Sequence, residues 1–87
     1  MKMKGEPILE VKAQEDGVLL VRFGNGNTVT LDMKPKFFAY RFGVLSNPDI
    51  FANVNTNGNF VRWYKDGMVV AEIAYGEIIK LVLGEAY

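Results

Sequence analysis

Carboxylates are the main catalytic groups that this sequence supplies, since it contains no cysteine and no histidine. Without histidine it lacks the commonest general base and the commonest transition-metal ligand. The single serine, Ser46, has no histidine to activate it as a nucleophile. A catalytic site would therefore need two carboxylates to converge in a cleft. The available carboxylates are Asp32, Asp49, Asp66, Glu72 and Glu77.

Each candidate for enzymatic chemistry also has a simpler structural role. Asp49 lies at a predicted helix start and Asp66 in a predicted turn. Glu15-Asp16 is only a dipeptide, not an acidic loop able to hold magnesium or calcium. The glycine-rich run 24–27 leads into a strand, whereas a phosphate-binding loop leads into a helix. We therefore expect no catalytic residue, no metal site and no cofactor, and we predict that the protein is not an enzyme.

The residues best suited to binding begin in an aromatic-basic segment, residues 34–46, which holds three cations and no acid. Single-stranded nucleic acid is bound by positive charge and stacking aromatic rings together. The same aromatics could instead fill the core of a small domain or form a protein interface. The candidate binding residues, some of them on a following strand, are Lys34, Lys36, Phe37, Phe38, Tyr40, Arg41, Arg62, Trp63 and Tyr64.

The chain is organised around a predicted hairpin, residues 18–33, in which apolar and polar residues alternate on both sides of a turn. A two-residue Asn25-Gly26 turn would pair Val21 with Thr30 and place an apolar side chain opposite a polar one. A three-residue loop, with Gly26 in the left-handed conformation, would pair Val21 with Val29. We favour the second register because it keeps the apolar residues on one face.

Other segments complete the predicted fold. Residues 8–13 alternate as a strand, with Leu9, Val11 and Ala13 on one face, and residues 60–64 and 68–73 predict two more strands. Asn47 and Pro48 predict the start of a short helix, Pro48–Ala52. Residues 74–83 combine β-branched side chains with helical spacing, and we favour a helix that stops at Gly84.

We therefore predict an α+β fold: an antiparallel β-meander or sheet of about five strands, with one short helix and one C-terminal helix. The 87 residues suit a single domain, 1–87, with residues 1–6 frayed. Ten basic and ten acidic residues cancel, so no global field favours nucleic acid or a membrane. No apolar stretch suits a signal peptide or a membrane helix, and we expect a cytoplasmic protein with no membrane contact.

Surplus apolar sequence indicates an association partner. Residues 73–83 are apolar on nearly every side, and the second face of the hairpin is also apolar. A domain of this size can hardly cover both surfaces itself, so we expect a homodimer. We also expect a further protein partner, which the sequence does not identify.

Several short motifs together resemble a known family. They are residues 19–26 and 31–35, then Asn47-Pro48-Asp49-Ile50-Phe51, Val61-Arg62-Trp63, Asp66-Gly67 and Glu72-Ile73. Their order and spacing resemble a small bacterial family, domain of unknown function 2442. The resemblance implies a compact α+β domain and no established activity, substrate or cofactor. The function we predict is a non-enzymatic protein–protein interaction or regulatory module; the alternative is a nucleic-acid-associated regulator using the basic-aromatic residues.

Overall fold

Six strands and two α-helices make up most of the chain in the computed structural model, which describes residues 7–83. The strands are Ile8–Gln14 (β1), Val18–Phe23 (β2), Thr28–Asp32 (β3), Val54–Thr56 (β4), Phe60–Lys65 (β5) and Met68–Ala74 (β6). The α-helices are Pro48–Ala52 (α1) and Tyr75–Val82 (α2). Three 3-10 helices span Glu15–Gly17, Lys34–Phe38 and Tyr40–Ser46. The expected fraying of residues 1–6 and the stop at Gly84 lie outside the described residues.

The strands form two antiparallel three-stranded sheets, with orders β1-β2-β3 and β4-β5-β6. The α+β class and the C-terminal helix are confirmed, but the single sheet of about five strands is wrong. Residues 33–53 leave β3 as a helical crossing and bring β4 beside β1. There the Ile8 N–H donates to the Gly58 carbonyl at 3.0 Å, yet no ladder joins the two strands. The sheets therefore meet edge to edge without merging.

The predicted register of the first hairpin is confirmed, with Val21 opposite Val29. The Phe23 N–H donates to the Asn27 carbonyl at 2.8 Å and closes a three-residue loop. Gly26 adopts a φ of +93°, the left-handed conformation that this loop requires. Matching of apolar side chains across the ladder was thus sufficient to fix the pairing.

The first strand departs from the alternation that its sequence predicts. A register shift at Leu9 inserts one extra residue opposite β2. Leu9 is consequently 51% exposed, and Ile8 takes the buried position in its place. The expectation that Leu9 shares a face with Val11 and Ala13 is wrong, because a bulge reverses the side-chain direction on one side of it.

Both predicted helices are present. The Asn47 carboxamide oxygen accepts from the Asp49 N–H at 2.9 Å and caps α1. At the start of α2, the Glu77 carboxylate accepts from the Ala74 N–H at 3.1 Å. Helix α1 packs against β1 and β5, whereas α2 packs against β3 and β6, so each helix contacts both sheets.

An aromatic column runs through the core. The Phe37 and Phe51 rings meet edge to face with their centroids 5.8 Å apart. The Phe51 and Trp63 rings stack with their centroids 6.1 Å apart. Trp63 is completely buried at the centre of the second sheet. Its indole N–H has no hydrogen-bond partner among the described residues, which costs part of the free energy that its burial supplies.

The aromatic-basic segment is anchored at Gly17, in the turn between β1 and β2. Gly17 has a φ of +72°, and a Cβ there would lie 2.8 Å from Lys34 Cγ and 3.2 Å from the Phe37 ring. The Gly17 carbonyl also accepts from the Met33 N–H at 2.9 Å. Only glycine permits this close approach of the segment to the first sheet.

Replacement of Gly17 by alanine should therefore destabilise the protein in two ways. We expect G17A to lower the free energy of unfolding by about 2–3 kcal/mol, through left-handed strain and the collision with Lys34 and Phe37. Gly26 shares the positive φ but has open space around it, so G26A should cost only about 1 kcal/mol. Urea unfolding of both variants measures the difference, and equal losses would contradict the close-contact argument.

Candidate functional site

The described chain has a concavity of about 1000 Å³, which we call the aromatic groove. It lies between the Gln14–Gly17 turn, the aromatic-basic segment and α1. Apolar side chains form much of its lining, and polar side chains complete it. The lining residues are Ala13, Gln14, Glu15, Asp16, Gly17, Lys34, Phe37, Phe38, Leu45, Ser46, Pro48, Phe51 and Ala52.

The aromatics of the segment divide between the core and the surface. Phe42 is buried and Phe37 packs against the core, whereas Phe38 is 93% exposed and Tyr40 is fully exposed. The division follows from the backbone, because extended Ala39 separates two 3-10 helices with about three residues per turn. Phe38 therefore projects beside the aromatic groove with no cover from the described residues.

Lys34 holds one border of the groove in place. Its Nζ donates to the Asp16 carbonyl at 2.6 Å and pairs with the Asp32 carboxylate at 2.9 Å. The hydrogen bond from the Lys34 side chain lowers the pKa of Asp32, and the bond from the Lys34 N–H lowers that pKa further. Lys34 therefore serves the local structure, and its charge is matched by a carboxylate.

A second, smaller concavity of about 300 Å³ lies between the segment and α2. We call it the basic recess; its lining residues are Lys36, Ala39, Arg41, Phe42, Ile73, Glu77, Lys80 and Leu81. Arg41 donates from Nη1 and Nη2 to the two Glu77 carboxylate oxygens at 2.8 and 3.3 Å. Arg41 Nη2 also donates to the Glu72 carbonyl at 2.7 Å, so one guanidinium joins the segment to β6 and α2.

The ion pairs shift the pKa values of their members. The hydrogen bond from Arg41 lowers the pKa of Glu77, burial opposes the shift, and the Ala74 N–H and the Lys36 charge reinforce it. The hydrogen bond to Glu77 raises the pKa of Arg41 in turn. On β5, the hydrogen bond to Glu72 raises the pKa of Arg62. These groups are charged at neutral pH.

Eight of the nine predicted binding residues are thus distributed over three places, and the ninth, Tyr40, lies apart from them. Lys34, Phe37 and Phe38 belong to the aromatic groove, while Lys36 and Arg41 belong to the basic recess. On β5, Arg62 pairs with Glu72 at 2.9 Å and lies over the Phe60 ring, Trp63 is buried and Tyr64 is half-buried. Tyr40 is exposed in the segment and lines neither concavity. The structure does not assemble the nine into one surface.

Sequence reasoning missed the wall that α1 contributes to the groove. Pro48, Phe51 and Ala52 line it together, and their spacing of three to four residues places them on one side of a helical turn. That spacing was available in the sequence once the Asn47 cap had defined the helix. The Gln14–Gly17 wall carried no comparable signal, because only the tertiary fold brings it beside Phe37.

The described residues offer little for acid–base catalysis. Asp32, Glu72 and Glu77 each pair with a different cation. The lowered pKa values of Asp32 and Glu77 oppose a general-acid role, which requires a raised value. Within residues 7–83, no three acidic side chains gather as a metal-ion cluster.

Comparisons with family models, curated proteins and solved structures found no match to this chain. Membership of the family of domain of unknown function 2442 therefore stays a prediction. In the part of the chain that the structure describes, no helix has the length and apolarity needed to cross a bilayer.

The Arg41–Glu77 pair should make stability depend on acid pH. The folded pKa of Glu77 lies below its ordinary value of 4.5, so the unfolded chain binds more protons between these two values. The stabilisation is full above the ordinary pKa and is lost as pH falls through the folded pKa. We expect E77Q to cost about 1 kcal/mol at pH 7, because both partners are partly exposed, and much less near pH 3.

Urea unfolding at the two pH values measures this effect, and E10Q is the matched control. Glu10 is as exposed as Glu77 and pairs with Arg22 at 3.4 Å, but both residues lie within one hairpin. We expect E10Q to change stability by no more than about 0.5 kcal/mol at either pH. A difference between E77Q and wild type that stayed constant with pH would refute the role assigned to Glu77.

Proposed function

We propose that this protein is a non-enzymatic binding module that docks an extended segment of a partner protein in the aromatic groove. One observation carries the proposal: Phe38 stands 93% exposed beside a groove lined by Phe37, Leu45 and Phe51. Burial of one such phenylalanine side chain is worth roughly 1.5–3 kcal/mol. An exposed aromatic beside an apolar groove is the anatomy of an interface hot spot.

The lining of the groove supports a peptide-like partner. Gln14 and Ser46 add polar side chains to the apolar ones, and protein interfaces combine apolar and polar residues in this way. Acidic Glu15 and Asp16 lie on one wall, while the charge of Lys34 is already matched by Asp32. The groove therefore favours a partner segment that presents apolar side chains together with neutral or basic ones.

Removal of the Phe38 ring should abolish this docking without unfolding the protein. We expect linear peptides selected from a random library against the wild-type protein to bind F38S at least about tenfold more weakly. M68S is the matched control, because Met68 is also exposed but lies at the start of β6, away from the groove. Equal binding of the selected peptides to F38S and wild type would overturn the proposal, as would a selection that enriches no peptide.

A separate observation favours a homodimer. Strand β3 is an outer strand of its sheet, and α2 packs beside it. Between them lies a concavity of mixed polarity, and Leu83 just beyond it is 67% exposed. Its lining residues are Val29, Thr30, Leu31, Asp32, Leu81 and Val82. A second copy could cover Leu83 and the apolar part of this lining by twofold symmetry.

Introduction of a charge at Leu83 should disrupt such a dimer. We expect light scattering to give about twice the 9.8 kDa chain mass for the wild type and the single-chain mass for L83E. L9E is the control, since Leu9 is similarly exposed at the β1 bulge, and its mass should equal that of the wild type. A wild-type mass of one chain at every concentration would rule out the homodimer.

Nucleic acid remains the alternative partner, with a smaller set of residues than the sequence predicts. Lys34, Arg41 and Arg62 are each paired with a carboxylate. Trp63 is buried and has no face open to a base. We also propose, from the sequence alone, that the protein is cytoplasmic and belongs to the family of domain of unknown function 2442.

A further inference from the structure

We propose that Asn25 is a site of spontaneous deamidation and that the fold protects Asn57 from the same reaction. These two asparagines are each followed by glycine in the sequence. Because glycine has no Cβ, its backbone nitrogen can approach the preceding side chain without steric hindrance. Neither asparagine lines the aromatic groove, so the inference does not depend on the proposed docking function.

The reaction is intramolecular and needs only water as a co-reactant. The Gly26 nitrogen gives its proton to solvent and bonds to the carbonyl carbon of the Asn25 side chain. The bond from that carbon to the amide nitrogen breaks, and the nitrogen takes up a proton and leaves as ammonia. Water then opens the resulting succinimide ring at one of its two carbonyl carbons, which gives aspartate or isoaspartate.

The turn that contains Asn25 is open to solvent. Asn25 and Gly26 are both exposed, and a Cβ built at Gly26 would meet nothing within 4 Å. The Gly26 N–H donates to the Phe23 carbonyl at 3.0 Å, and Asn25 Oδ1 accepts from the Asn27 N–H at 3.0 Å. The reaction requires these two hydrogen bonds to open, and opening at an exposed loop costs little free energy.

The turn that contains Asn57 is held more firmly, at the junction of the two sheets. Asn57 Oδ1 accepts from two backbone N–H groups of the same turn, each at 3.0 Å. The Gly58 N–H donates to the Thr56 hydroxyl at 3.0 Å, and that hydroxyl donates to the Phe60 carbonyl at 2.7 Å. Gly58 is also buried, and its carbonyl accepts from the Ile8 N–H of β1. Attack by the Gly58 nitrogen therefore requires more of the structure to open.

Deamidation at Asn25 would change both the charge and the geometry of the first hairpin. The basic and acidic residues of the chain cancel, so the new carboxylate gives the protein one net negative charge. Isoaspartate also routes the backbone through the former side chain, which adds one carbon atom to the loop between β2 and β3. The longer backbone disrupts the closure of this loop by the hydrogen bond from Phe23 to Asn27.

Incubation of the folded protein at mildly alkaline pH, followed by tryptic mass spectrometry, tests the inference. Cleavage after lysine and arginine places Asn25 in peptide 23–36 and Asn57 in peptide 42–62, and fragment spectra assign the modified residue. We expect Asn25 to deamidate at least about fivefold faster than Asn57, the effect of one further hydrogen bond of ordinary strength. In urea the two rates should become similar, because both residues precede glycine.

The variant T56A tests whether the fold protects Asn57. Removal of the hydroxyl that accepts from Gly58 should speed deamidation of Asn57 about fivefold. The Asn25 rate in the same molecule should stay unchanged. T30A is the matched control, because Thr30 is exposed on β3, and it should alter neither rate.

Equal rates at Asn25 and Asn57 in the folded wild type would overturn the proposal. It would also fail if the ratio of the two rates were the same in urea, or if T56A left the Asn57 rate unchanged. A rise at both sites in T56A would mean that the whole molecule had loosened, and the comparison of folded with urea-unfolded wild type would then decide.

Discussion

The aromatic column of Phe37, Phe51 and Trp63 joins parts of the molecule that share no backbone ladder. Phe37 comes from the aromatic-basic segment and also lies against Gly17 of the first sheet. Phe51 belongs to α1, and Trp63 is at the centre of the second sheet. Full burial of a ring such as that of Phe51 or Trp63 contributes roughly 1.5–3 kcal/mol, which is a large share of the stability of a domain this small. The column therefore stabilises the relative position of the two sheets, together with α1 and α2, each of which packs against both sheets.

The same constraint determines which residues reach the surface. Phe37 and Phe42 pack in or against the core. Because the 3-10 helices turn about every three residues, Phe38 and Tyr40 then point to solvent. The segment also separates the two concavities, so its neighbouring residues line different concavities. Phe38 stands at an apolar groove, and Arg41 is held in a charged recess by residues of β6 and α2. One crossing connection thus supplies two chemically distinct surfaces.

Local rules in the sequence predicted the features that depend on neighbouring residues. The pairing of Val21 with Val29 is of this kind, because it follows from keeping apolar side chains on one face of the hairpin. The Asn47 cap is another, because it depends only on residues at the start of α1. The division into two sheets depends on where a helical crossing of some twenty residues returns the chain, and no local pattern encodes that position. Leu9 was misplaced because a bulge interrupts the alternation of β1 at this position, and the alternating sequence of residues 8–13 gives no sign of it.

The charge pattern shows why the surface of the aromatic-basic segment was hard to predict from the sequence. Residues 34–46 hold three cations and no acid, a sequence that resembles an electrostatic footprint for nucleic acid. Folding brings Asp32 to Lys34 and Glu77 to Arg41, two carboxylates from outside the segment. Two of the three cations of the segment are therefore matched by carboxylates, so the sequence overstates the positive charge that the folded segment presents to a nucleic acid.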